Sequence, residues 1–269
     1  MLTIDLTLKD SVLTEGHTSK GNQPKWLQDG YWYKADHMGC EALAEVLTAR
    51  LLAHSGIRNY VSYEPVLIRD GDKTCAGCRS RNFRQRDEML VPLERLYRAY
   101  CGQSLAKKLA EIPETEEQIR FTAQFVESTT QLSNFGSYLG TLLELDAFIL
   151  NEDRHTNNIA VIRNETSGQY RLCPIFDNGL SFLSDLNDYP LGKDLYQNIA
   201  RVEAKPFSRD FMVQMEAAVN LYGSSLHFDL TRRDVDGLFD GLTECYPEEV
   251  IGRARSVLSE QMRKFRYLF

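Results

Sequence analysis

The chain has 269 residues, 43% of them hydrophobic and 26% charged, and its 38 acidic against 31 basic side chains leave a net charge of −7. These are the proportions of a globular chain with ample material for a core, which excludes a disordered chain, a collagen-like chain and a small disulfide-stapled scaffold. The acidic total also argues against a nucleic acid as a direct partner, because sequence-independent binding rests on many cationic contacts to phosphates.

Residues 1–25 are polar and irregular, and Met1 to Asp10 lacks the basic region and apolar run of a secretory signal. Tyr31-Trp32-Tyr33-Lys34 is aromatic-rich and suits a short strand. Between Glu41 and Ser55, Leu43, Val46, Leu47, Leu51 and Leu52 recur at helical spacing, and Gly56 ends the pattern as glycine does just past a helix. Tyr60 to Ile68 is aromatic and β-branched enough for a strand, with a turn at Asp70-Gly71-Asp72. Leu93 to Leu109 and Glu116 to Leu132 read as helices separated by Pro113, and Tyr138 to Leu150 as a strongly apolar third. Its apolar run from Leu142 is broken by Glu144 and Asp146, well short of the ~20 residues that cross a bilayer, so no membrane association is expected. Ile159 to Arg163 and Gln169 to Cys173 are strand-like, and Asn164 to Gly168 reads as the loop of a hairpin between them. From Asp210 onward the pattern is again mostly helical. The expected class is α+β, with a strand-containing portion over residues 1–88 and a mainly helical portion over residues 89–269.

Six cysteines (Cys40, Cys75, Cys78, Cys101, Cys173 and Cys245) are scattered through the chain, a usage that fits reduced thiols and a cytoplasmic location. Cys75 and Cys78 form a lone Cys-x-x-Cys with no second ligand pair for zinc. They are expected to be small residues at a strand or its turn.

One polar stretch stands apart: Asn151-Glu152-Asp153-Arg154-His155-Thr156-Asn157-Asn158, joining the apolar helix to a strand. Catalytic groups are commonly placed on such loops between rigid elements. A second acidic loop, Phe176-Asp177-Asn178-Gly179, lies at the far end of the hairpin, and a hairpin returns the chain to its starting point. Asp177 is therefore expected near Asp153 and Asn158. Two carboxylates and an amide are oxygen donors suited to a hard cation such as Mg²⁺. Phosphoryl transfer from ATP uses such a set: one Asp orients the attacking hydroxyl, and an Asn five residues on and a later Asp hold the metal. The same chemistry needs a strand lysine fixed by a helix glutamate. Lys34 ends the aromatic strand, and Glu45 shares its helix face with Ala42, Ala49 and Leu52, where a carboxylate needs a partner. Glu41 competes for the same role, although an acidic residue at a helix start also serves the dipole.

Asn151-Glu152-Asp153-Arg154-His155-x-x-Asn158, followed by Pro174-Ile175-Phe176-Asp177-Asn178-Gly179, resembles the catalytic and metal motifs of the HipA-like bacterial serine/threonine kinases. Gly21-Asn22-Gln23-Pro24-Lys25 resembles the nucleotide-binding loop of that family, and the Lys34 strand and Glu45 helix follow in the family's order. The resemblance spans about residues 18–185. It implies a two-lobed protein-kinase-like fold, an ATP- and Mg²⁺-dependent kinase, and a protein substrate with a Ser or Thr acceptor. Asp153 would be the catalytic base, Asn158 and Asp177 the magnesium ligands, Lys34 the phosphate-contacting lysine, and Gly21 and Gln23 members of the phosphate loop. A hinge meeting the adenine would lie at Ser80-Arg81-Asn82-Phe83.

Some members are controlled by autophosphorylation of a hydroxyl just before that loop, a position held here by Thr18 and Ser19. Longer members carry a separate N-terminal domain that helps contact a DNA-binding antitoxin. The present chain is read as a short form without it, and the resemblance extends to a toxin–antitoxin kinase with an antitoxin partner. Phosphoinositide kinases share a similar Asp-Arg-His-x-x-Asn, so a lipid or small-molecule kinase is the alternative, and a catalytically silent binding module the third reading. Arg79, Arg81, Arg84 and Arg86 form a local basic cluster, either a solvated surface or a receiver for an acidic substrate.

Overall fold

Alternation along Tyr31–Ala35 organises the first half of the fold. Tyr33 and Ala35 join Leu6, Trp26, Val66 and Ile68 in one hydrophobic cluster. Successive strand side chains point to opposite faces, so Lys34 is turned the other way, toward a helix. The computed structural model describes residues 1–7, 9, 23–231 and 233–269. In it a five-stranded sheet has the order β1 (Thr3–Asp5), β4 (Glu64–Asp70), β5 (Lys73–Arg81), β3 (Tyr31–Ala35), β2 (Lys25–Gln28). The β1–β4 pair is parallel and the other pairs are antiparallel. Helix α1 (Glu41–Ala53) packs on β3, β4 and β5. It is buried nearly all round, Glu41 and Glu45 included, which is the mark of a helix inside a core rather than on its surface. The strand expected from Tyr60 begins only at Glu64, and the turn at Asp70-Gly71-Asp72 joins β4 to β5 with Gly71 at φ 62°. Cys75 and Cys78 lie on β5, and burial raises both thiols above their ordinary values, the opposite of a reactive pair.

Contacts group the chain into two compact units. The first takes in residues 1–82, 177–201 and 227–269. It therefore gathers more of the chain than the strand-containing N-terminal portion expected from the sequence: the C-terminal helix α8 (Glu248–Lys264) and the segment before it belong to it as well. The Asp229 N–H donates to the His54 carbonyl at 2.6 Å, Arg50 donates to the Leu238 carbonyl at 2.7 Å, and the Tyr246 hydroxyl donates to Asp36 at 2.7 Å. These are long-range closures around α1 that no local pattern announces. The short helix α6 (Leu195–Ile199) lies in the same unit.

The second unit holds residues 83–176 and 202–226. A three-stranded antiparallel sheet, β6 (Glu88–Pro92), β7 (Ala160–Asn164) and β8 (Tyr170–Leu172), contains the expected hairpin as β7–β8. The helix expected over Leu93 to Leu109 is two: α2 (Leu93–Cys101) ends with Gly102 in the left-handed conformation, and α3 (Leu105–Ala110) starts on Ser104, whose hydroxyl accepts from the Lys107 N–H. Helices α4 (Thr115–Thr130) and α5 (Phe135–Ile149) pack against each other and against α7 (Phe211–Tyr222). At Gly136 an added Cβ would stand 2.4 Å from the Tyr222 ring, so α5 and α7 approach as closely as a glycine allows. Glu144, buried on α5, accepts from the Ser224 hydroxyl at 2.7 Å and the Leu226 N–H at 3.2 Å. Among the described residues no helix is long and apolar enough to cross a membrane.

Candidate functional site

The first unit brings three of the expected residues together. The Lys34 ammonium contacts Glu45 Oε1 and lies 2.8 Å from Asp177 Oδ1. Glu45 is wholly buried, and its second oxygen accepts from the Asn178 N–H at 2.9 Å, so one helix carboxylate fixes both the strand lysine and the turn after Asp177. Burial pulls the Lys34 ammonium down, but the Asp177 and then the Glu45 carboxylates outweigh it and hold its pKa well above the usual lysine value. The Tyr63 ring, 5.4 Å from Lys34 Nζ, adds a cation–π contact.

Glu41 is resolved as the competitor that does not win. Its carboxylate accepts from the backbone N–H groups of Met38 at 2.8 Å and Gly39 at 3.0 Å, closing the turn before α1. The Asp177 backbone is left-handed, with φ 60°. Gly179 sits where a Cβ would come within 3.3 Å of Glu41 Cβ, so the Asp-Asn-Gly order sets the turn flat against α1. Glu45→Gln is expected to lower the unfolding free energy by roughly 1.5–3 kcal/mol, the range for a buried hydrogen bond to a charge. A denaturant melt measures it, and an unchanged midpoint would mean that Asp177 alone holds Lys34.

The second unit holds the other set. α5 ends with Leu150 left-handed at φ 58°, and the next residues fold back under its last turn. Arg154, 1% exposed, forks onto Asp146 with Nε and Nη2, at 2.9 and 3.0 Å. Asn151 Nδ2 donates to the same carboxylate at 2.9 Å. Arg154 Nη1 donates to the carbonyls of Asn158 at 3.1 Å and Phe176 at 2.8 Å. One buried guanidinium thus ties together the loop carrying Asp153 and Asn158 and the last residue before Asp177 in the chain. Asn158 Nδ2 donates to the Asp153 carbonyl at 2.9 Å and reaches its carboxylate at 3.4 Å.

Two features were not expected from the sequence, Lys205 at Asp153 and the Asp146–Arg154 pair. Lys205 Nζ lies 3.4 Å from Asp153 Oδ1. It is 52 residues further on with no motif around it, and nothing local signals it. The Asp146–Arg154 pair did leave a signal: an acidic residue on an otherwise apolar helix needs a buried partner.

Of the remaining expected residues, Ser80 and Asn82 close the first unit, and Phe83 opens the second. Asn82 Oδ1 accepts from the Trp32 indole at 3.4 Å, while the Phe83 ring lies 5.9 Å from the Phe176 ring, tilted by 48°. Gln23 is half-buried. Gly21, Thr18 and Ser19 lie outside the described residues. In the arginine cluster, Arg79 pairs with Glu64 at 2.6 Å, and both Arg79 and Arg81 lie over the Tyr31 ring.

No protein-family model and no curated protein matches the sequence. Among solved structures, the crystal structure of a proinflammatory kinase of Helicobacter pylori, CtkA, aligns over 97% of this chain and 94% of its own, with a TM-score of 0.62 at 14% sequence identity. The chain shares that kinase's fold, an α+β protein-kinase-like fold.

Proposed function

We propose that the protein is an ATP- and Mg²⁺-dependent kinase that transfers phosphate to a Ser or Thr hydroxyl of a protein. The observation that carries this reading is the Lys34–Glu45–Asp177 cluster, a strand lysine and helix glutamate joined by an aspartate 143 residues beyond the lysine, all three expected for one chemistry. The kinase-like fold supports it. In this reading residues 1–88 supply the nucleotide lobe and residues 89–269 the catalytic lobe, with the hinge at residues 80–83.

The residues fit the groups. Lys34 is an ammonium kept charged in a buried place, which suits the phosphates of a nucleotide. Asn158 and Asp177 offer oxygen only, which suits magnesium. Asn158 directs its Nδ2 at Asp153, which leaves Oδ1 as the donor for a cation. When bound, the metal would neutralise charge on the phosphates. Asp153 receives the proton of the acceptor hydroxyl on its carboxylate. Lys34, immobilised by Glu45, orients the phosphates. Arg154 keeps the Asp153 loop in one geometry, so little reorganisation is left for the moment of transfer.

Incubation with γ-labelled ATP, Mg²⁺ and a cell extract, followed by mass spectrometry, is expected to show labelled Ser or Thr on protein. Label on phosphoinositide or a small hydroxyl compound alone would reassign the acceptor. ATP binding without turnover under any divalent cation would leave a silent binding module.

A further inference from the structure

A cavity of about 300 Å³ opens beside the Asp153 carboxylate, entirely within the second unit. Two of its lining residues are those that reach that carboxylate: Lys205 Nζ stands 3.4 Å from Oδ1, and His155 Nε2 stands 3.8 Å from Oδ2. Apolar lining comes from Ala106, Leu109 and Ala110 of α3 with Pro206 and Phe207, and Gln118 and Thr156 complete it. Ala106 and Ala110 are exposed while Leu109 and Phe207 are buried, so two methyl groups on an open helix face leave the space that larger side chains would fill.

We propose that this cavity is the acceptor subsite: it takes an apolar side chain adjacent in a peptide to the Ser or Thr whose hydroxyl meets Asp153. The inference rests on the kinase reading and names its substrate more closely. Lys205 stands on the rim, where an acidic residue near the acceptor hydroxyl would meet its ammonium. The apolar part of the lining favours a hydrocarbon or aromatic side chain, against which an inositol headgroup would set several hydroxyls without partners. The size suits one large aliphatic or aromatic side chain. A pocket of this kind discriminates by roughly 10–200-fold per added or missing apolar group.

The test uses a degenerate peptide library with a central serine, labelled ATP and the full chain. Wild type is expected to prefer Leu, Ile, Met or Phe over Gly or Asp by at least about 10-fold at one position next to the serine. Ala106→Trp and Ala110→Trp fill the cavity from exposed positions, so both are expected to melt with wild type. Each is expected to abolish the preference and to lower kcat/KM for the preferred peptide about 10-fold, with ATP hydrolysis to water unchanged. A flat library for wild type, or variants with the wild-type preference, overturns the subsite while leaving the kinase reading standing. Labelling of phosphoinositide but of no peptide also overturns it. Absence of any ATP turnover by wild type fails the kinase reading itself, and this inference with it.

Discussion

Asp153→Asn is expected to lower phosphoryl transfer by about 10²–10⁴-fold while leaving the melting midpoint close to wild type. In the proposed reading Asp153 takes the acceptor proton, and losing such a group costs a factor of that size in general acid–base catalysis. The small stability effect follows from what the residue does structurally. Its backbone N–H donates to Asn151 Oδ1 at 3.1 Å and its carbonyl accepts from Asn158 Nδ2 at 2.9 Å, and an asparagine keeps both. The carboxylate's ion pair with Lys205 is 3.4 Å long to a lysine 37% exposed, so screening reduces its worth to about 0–1 kcal/mol. The loss should fall on kcat, with the KM for ATP little changed, because the proposed reading gives the nucleotide contacts to Lys34 and Asp177. An Asp153→Asn protein that transfers phosphate at the wild-type rate would remove Asp153 from the reaction. Asp177→Asn makes the contrast: in the proposed reading it should weaken nucleotide binding as well, since it also takes away one of the two carboxylates that hold the Lys34 pKa up.

The features of this site that could be read in the sequence were those written in a local code. Lys34 followed from an aromatic strand end, and Glu45 from a carboxylate on an apolar helix face. Their pairing is an 11-residue step from a strand to the next helix, which period-2 and period-3.6 arithmetic can handle. The β7–β8 hairpin was legible for the same reason, as two short apolar runs around Asn164 to Gly168. The hairpin argument and the motif set Asp177 beside the Asp153 loop, but the contact of Asp177 with Lys34, 143 residues apart, was written in no local pattern.

What was missed was non-local or lay in punctuation. Gly102 and Ser104 spell a helix end and a helix start, yet the apolar spacing from Leu93 to Leu109 runs through them and suggests one helix. The C-terminal segment reads as helical, and α7 and α8 are helices, but its attachment to α1 through Leu238, Tyr246 and Asp229 depends on single long-range contacts. Lys205 belongs to this class too. A lone lysine in an irregular stretch carries no periodicity, so only three-dimensional placement gives it meaning.

Arg154→Met is expected to destabilise the protein by about 3–5 kcal/mol, the loss found when one partner of a buried ion pair is removed. Asp146 is 0% exposed and would be left as an uncompensated charge, with Asn151 Nδ2 as its remaining side-chain donor. Burial already pushes the Asp146 carboxyl pKa up against the pull of Arg154, so the variant carboxyl should take up a proton and bring a dependence of stability on pH. The sign follows from linkage. With the folded pKa raised further above the unfolded value, the native state binds more protons, and stability falls as pH rises from the unfolded to the folded pKa. Thermal melts from acid to neutral pH should therefore show Arg154→Met losing ground to wild type as pH increases. The double variant Asp146→Leu/Arg154→Met should recover most of the stability, since well-packed apolar residues replace a buried pair at little net cost. It should not recover activity. Nη1 of Arg154 also holds the carbonyls of Asn158 and Phe176, and no apolar side chain can replace those two donations. A double variant that is both stable and fully active would show that the pair is a scaffold alone. A stable, inactive one would show that this guanidinium sets the geometry of the Asp153 loop and of Phe176 that the proposed reaction needs.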